Sequence, residues 1–139
     1  MTWGIKLKDL LDDSNQINTA ETLAELRAAF EMYEDALVHN KVDVLDELFW
    51  DHAMTLRFGV KENLFGIDKI KEFRASRPSV GLSRKVIERH LVSFGHTMGV
   101  TNITFMRSSE PRVGRQSQTW VKFPEGWRVV SAHVSWMDT

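Results

Sequence analysis

The order of two periodicities constrains this chain most. Apolar residues recur at helical spacing only before Pro78, and strand-like alternation dominates after it. Leu23, Leu26, Phe30, Tyr33 and Leu37 follow a 3-4-3-4 spacing, one stripe of a helix expected over 19–40. Asn18, with Glu21 three residues on, reads as a capping box, and Asn40 as a C-terminal cap. A short helix follows, with Asp43 as N-cap and Leu45, Leu48 and Phe49 facing inward. Residues 54–58 and 62–65 read as short strands joined through Gly59, and a third helix over 67–77 is ended by Pro78. Four longer strands are expected at about 84–94, 97–107, 112–123 and 127–136. Strands segregated after helices indicate an α+β fold. Three N-terminal helices would pack on one face of a curved antiparallel sheet and close a cone with an interior cavity.

The 139 residues suit one domain, 18–139, preceded by an extension, 1–17, whose Trp3, Ile5 and Leu7 could rest on a neighbouring surface. No run of 18 apolar residues is present, so no spanning helix and no membrane partner are expected. The N-terminus lacks the long apolar core of a secretory signal, and the expected compartment is the cytoplasm. The absence of cysteine excludes disulfides, thiolate zinc sites and a Cys nucleophile. Charge is unevenly spread: residues 1–56 hold 4 Lys+Arg against 12 Asp+Glu, and residues 57–139 hold 14 against 7. There is no basic run with interleaved aromatics, so nucleic acid is not an expected partner. Acidic helices docking beside a basic sheet would explain the asymmetry. So would a pocket for a small anion lined by arginines.

Several residues have chemical potential. Tyr33 lies on the apolar stripe of the first helix, where its hydroxyl needs a partner: a backbone carbonyl, or a ligand in the cavity. Arg57, between Leu56 and Phe58, is either an edge or ion-paired residue or a cation beside that phenol. Arg74 and Arg77 flank the stripe of the third helix, as a surface pair or as a carboxylate clamp at a pocket mouth. Asn63 could orient an amide. A two-residue turn at Glu125-Gly126 would set Gln118 opposite His133, Trp120 opposite Ser131 and Gln116 opposite Ser135. These residues then share a face, read as cavity lining. The opposite face, led by Ser117, Thr119, Val130, Val134 and Trp136, would be buried in a homodimer. The histidines at 39, 52, 90, 96 and 133 form no metal-ligand pattern, and no nucleotide-binding glycine motif occurs, so neither metal nor cofactor is expected.

The element order, with the tail Gly126–Ser135, resembles the nuclear transport factor 2-like (cystatin-like, SnoaL-like) superfamily. More narrowly, the chain resembles the AtzH-like family, related to oxalurate-catabolism proteins. The resemblance rests on Phe30–Leu37, Leu45–Trp50, Arg57-Phe-Gly59, Glu62-Asn63, Gly66, Phe73-Arg74, Arg77-Pro78, and the long run Gly114–Val121 into Phe123–Arg128. It implies a cofactor-free amidohydrolase converting 1,3-dicarboxyurea to allophanate, with Tyr33 and Arg57 as the catalytic pair. Asn63, Gln118, His133 and Ser135 would be candidates to orient the urea. Two alternatives stand beside it: a non-catalytic ureide-binding accessory protein, and a cofactor-free isomerase or dehydratase of the same superfamily. In the first two readings the partner is a small anionic ureide or dicarboxylate.

Overall fold

The computed structural model describes residues 16–138. The elements are α1 (Ala20–Val38), α2 (Val42–Glu47), β1 (Leu56–Phe58), β2 (Asn63–Phe65), α3 (Ile67–Ser76), β3 (Lys85–Phe94), β4 (Met98–Arg107), β5 (Glu110–Phe123) and β6 (Gly126–Trp136). All six strands form one sheet in the order β2-β1-β6-β5-β4-β3. Every pairing is antiparallel except β1 with β6, which is parallel, so the sheet is mixed where the sequence suggested antiparallel strands only. The three helices pack on one face. Leu26, Tyr33 and Leu37 of α1 meet Leu45, Phe49, Ile70, Trp120 and Val129 in the main core.

The ends of α1 differ in how well they follow local rules. At the C-terminus Asn40 takes a left-handed φ of 50°, the Asn40 N–H donates to Leu37 O, and the Lys41 N–H donates to Ala36 O. These two bonds close a Schellman-type end. At the N-terminus no capping box forms. Thr19 is the N-cap without a side-chain bond, and Asn18 Oδ1 instead accepts the Ser93 N–H at 2.9 Å. The Asn18 N–H donates to Ser93 O, and the Gly95 N–H donates to Gln16 O, so the sheet edge takes the bonds that a cap would have used. Likewise, Lys41 rather than Asp43 is the N-cap of α2. Trp3, Ile5 and Leu7 lie outside the described residues.

The β5–β6 hairpin departs from expectation in two ways. Its turn is Pro124-Glu125, pairing Phe123 with Gly126. That change moves each pairing by two residues and leaves every side chain on its expected face. The second departure does not: the register shifts by one between Trp120↔Val129 and Thr119↔Ser131, a bulge at Val130. A one-residue slip reverses the faces beyond it. Trp127 and Val129 face the helices, and after the bulge so do Ala132, Val134 and Trp136. His133 and Ser135, read as cavity lining, lie instead on the outer face, with Ser131. Val134 and Trp136 turn inward and cannot lead an apolar dimer face. The middle of the outer face is polar, with Ser117 Oγ donating to Asn102 Oδ1 at 2.6 Å.

Gly114 shows how tightly the inner face is packed. It pairs with Phe105 across the ladder, and the fully buried Phe105 ring lies where a Cβ would stand. The ring also leans on Trp136, with centroids 5.5 Å apart. Gly114→Ala is expected to cost about 1–3 kcal/mol by overpacking, read by urea denaturation, and Phe105→Leu in that background to restore part of the loss. A cost near zero would mean that Phe105 moves aside freely.

Candidate functional site

A cavity of about 200 Å³ opens between α1, the β1–β2 turn, α3 and the inner face of the sheet. Helix α1 supplies Tyr33 and Leu37, β1 supplies Arg57, and the turn supplies Val60 and Glu62. Phe73 and Arg77 come from α3 and its end, and Leu82 and Arg84 from the following loop. The sheet completes the wall with Phe105, Arg107, Gln116, Val134 and Trp136. Tyr33 is 4% exposed, with its ring 6.3 Å from that of Phe49.

Arg57 reaches the cavity because β1 alternates. Its neighbours Leu56 and Phe58 pair with Ser131 and His133 on the outer face, and Arg57 pairs with Ala132 on the inner one. Its Nη1 donates to Glu62 Oε1 at 3.0 Å, and its guanidinium lies 5.2 Å from the Phe73 ring centre. Gly59 makes this ion pair possible, since a Cβ there would overlap the Glu62 carboxylate and crowd Arg57 Nη1. Arg84 mirrors the arrangement: it binds both carboxylate oxygens of Glu34, donates to Gln116 Oε1 at 3.1 Å, and stacks 4.3 Å from the Phe105 ring centre.

Arg77 and Arg107 carry no carboxylate partner among the described residues. Arg77 Nε and Nη2 and Arg107 Nε are buried and unbonded, and Arg107 Nη1 donates to Gly81 O at 2.6 Å. Burial pushes the Arg77 guanidinium below its ordinary pKa. Negative charge on Tyr33 would oppose that, and Arg74, Arg57 and Arg107 reinforce it. Burial, and after it the neighbouring Arg84 charge, likewise push the Arg107 guanidinium below its ordinary pKa, with Arg57 adding to the effect and negative charge at Tyr33 or Glu34 opposing it.

The other sequence candidates fall elsewhere. Asn63 is exposed on the outer face, because Leu64, not Asn63, pairs with Arg57. Gln118 and Trp120 face inward but sit in the core beneath α1, where Trp120 Nε1 donates to Thr101 Oγ1 and that hydroxyl to Gln118 Oε1. Gln116 alone of that strand's candidates lines the cavity. Arg74 is no mouth clamp. It is 3% exposed, continues the Ile67–Ile70 stripe, donates to Asp46 Oδ1 at 2.9 Å and lies 4.2 Å from the Phe49 ring centre. Sequence reasoning missed Arg84, Arg107, Glu34 and Glu62. Arg107 had a readable signal, since it continues the inward alternation of Thr101, Ile103 and Phe105.

The AtzH-like family profile matches residues 15–139. The chain belongs to the AtzH-like family. A protein of unknown function from Pectobacterium atrosepticum is 51% identical, with a TM-score of 0.87, covering 88% of this chain and 95% of its own. A cystatin-like fold protein from Burkholderia xenovorans is 34% identical, with a TM-score of 0.85 and coverage of 88% and 97%. A nuclear transport factor 2-like protein of unknown function from Pseudomonas putida shares the fold at 11% identity, with a TM-score of 0.70 and coverage of 84% and 87%. No curated protein matches. Among the described residues no helix is long and apolar enough to cross a membrane, and no three His, Asp or Glu side chains cluster as metal ligands.

Arg74 generates a stability prediction separate from chemistry. Arg74→Ala strands Asp46 and removes the stack on Phe49, which should cost about 3 kcal/mol or more. Equilibrium denaturation reads this directly. A cost below about 1 kcal/mol would place Arg74 outside the structural core.

Proposed function

We propose that the protein is a cofactor-free amidohydrolase that converts a small carboxylated urea of the 1,3-dicarboxyurea type to allophanate. One observation carries the reading: a phenol, Tyr33, and a cation, Arg57, line one small cavity whose remaining charged wall is rich in arginine. A carboxylated urea is small, planar and anionic, and matches planar guanidinium forks better than it would match lysines.

The reaction takes up water and balances without a further reagent. Water adds to a terminal carboxyl carbon, the bond from that carbon to the urea nitrogen breaks, and the nitrogen gains a proton. The products are allophanate and hydrogencarbonate. Arg57, steadied by Glu62, would hold the carboxylate under attack and offset the charge that develops there. Tyr33 would pass the proton from the attacking water to the leaving nitrogen. An isomerase or dehydratase reading has less support. It calls for a carboxylate base in the cavity, and Glu34 and Glu62 are each bound to an arginine.

The test is incubation with 1,3-dicarboxyurea, following allophanate and hydrogencarbonate by carbon-13 NMR. Tyr33→Phe is expected to slow turnover about 100- to 10,000-fold while keeping the ligand-induced rise in melting temperature. Arg57→Lys is expected to lower both, because lysine keeps the charge but not the fork. A wild-type protein that is stabilised by the ligand yet releases no product would be a ureide-binding accessory protein instead.

A further inference from the structure

Four guanidiniums reach the cavity and two carboxylates accompany them. Glu62 neutralises Arg57 and Glu34 neutralises Arg84, which leaves Arg77 and Arg107 as two uncompensated positive charges. Their buried nitrogens are also without acceptors. A buried donor with no acceptor is costly, and several on neighbouring cations call for a specific reason.

The chain places both side chains by local devices. Pro78 disfavours helical backbone at the residue before it, and Arg77 leaves α3 extended, at ψ 151°. Arg107 ends β4 on the inward alternation of Thr101, Ile103 and Phe105. A helix stop and a strand alternation therefore deliver two cations without carboxylate partners to one small space.

We infer that Arg77 and Arg107 form a clamp for a second acidic group, so that the cavity selects small molecules bearing two carboxylates over those bearing one. This rests on the reading of the cavity as a site for carboxylated ureas. It adds the residues that set the charge requirement: the first carboxylate lies at Arg57 beside Tyr33, and the second lies against the Arg77 and Arg107 guanidiniums, whose charge no carboxylate partner among the described residues offsets. Bringing a dianion into the cavity offsets the mutual repulsion of these cations. A monoanion can do this for only one end.

Glutarate and butyrate separate the two cases. Glutarate places three carbons between its carboxyl carbons, matching the three-atom spacing of 1,3-dicarboxyurea, and butyrate lacks one acid group. Neither can be hydrolysed. By isothermal titration at fixed salt, the wild-type protein should bind glutarate at least about 10-fold more tightly than butyrate. Arg77→Gln and Arg107→Gln should each weaken glutarate about 10-fold and leave butyrate within about twofold. Should a glutamine variant fail to fold, Arg77→Lys and Arg107→Lys keep the charge and should retain part of the preference. Equal affinity for the two acids, no detectable glutarate binding, or equal weakening of both acids in the variants would overturn the clamp. The outcome is separable from the hydrolase reading. Discrimination without turnover of 1,3-dicarboxyurea keeps the clamp and removes the enzyme. Turnover without discrimination removes the clamp alone.

Discussion

A guanidinium does not shed its proton at biological pH, so an arginine drawn out of water calls for compensation. Much of this fold can be traced from that requirement. Arg84 leaves the loop after α3 and meets Glu34 on α1, tying helix to sheet at the cavity wall. Arg57 meets Glu62 across a turn so tight that only glycine fits at position 59. Arg74 meets Asp46 and joins α3 to α2 behind the cavity. Aromatic faces take the remaining contact: Phe73 under Arg57, Phe105 under Arg84 and Phe49 under Arg74.

The uneven charge of the two halves is brought together along one seam. The acidic N-terminal half supplies Glu25, Glu31 and Glu34 on α1, and the basic C-terminal half supplies Lys122, Arg89 and Arg84 opposite them. Lys122, and after it Trp127, hold the Glu25 carboxyl below its usual pKa. These pairs follow the seam where α1 crosses the sheet. The docking of acidic helices beside a basic sheet and the arginine-lined pocket are thus two parts of one arrangement.

Elements governed by local periodicity were legible in the sequence. The stripe from Leu23 to Leu37, the stop at Pro78 and the four long strands fall close to their expected positions. Tyr33 and Arg57 were also identifiable as cavity candidates, because helix face and strand alternation fix where they point. What failed depended on tertiary competition. Asn18 has a good capping side chain, but the backbone of Ser93 offered it a sheet-edge partner instead. Arg74 and Arg77 look equivalent along the chain, yet one ends inside the core and the other at the cavity, a difference set by where α3 stops. The parallel β1–β6 contact is nonlocal and left no trace in either strand's pattern.

The bulge at Val130 divides β6 into two segments of opposite parity. Odd-numbered side chains face the helices before it, and even-numbered ones after it, while β5 stays even throughout. The tip of the hairpin, anchored by Trp127 to Glu25, is therefore out of phase with the segment that walls the cavity. Deleting Val130 would remove the bulge and keep both faces as they are, whereas a ladder that ran on without a bulge and with every residue kept would leave the tip in place and turn the wall inside out. Ala132, Val134 and Trp136 would go to the outer face, and His133 and Ser135 to the chamber. A two-residue change in the turn would do neither. In this hairpin the chemistry of the chamber depends on whether a count of residues is odd or even.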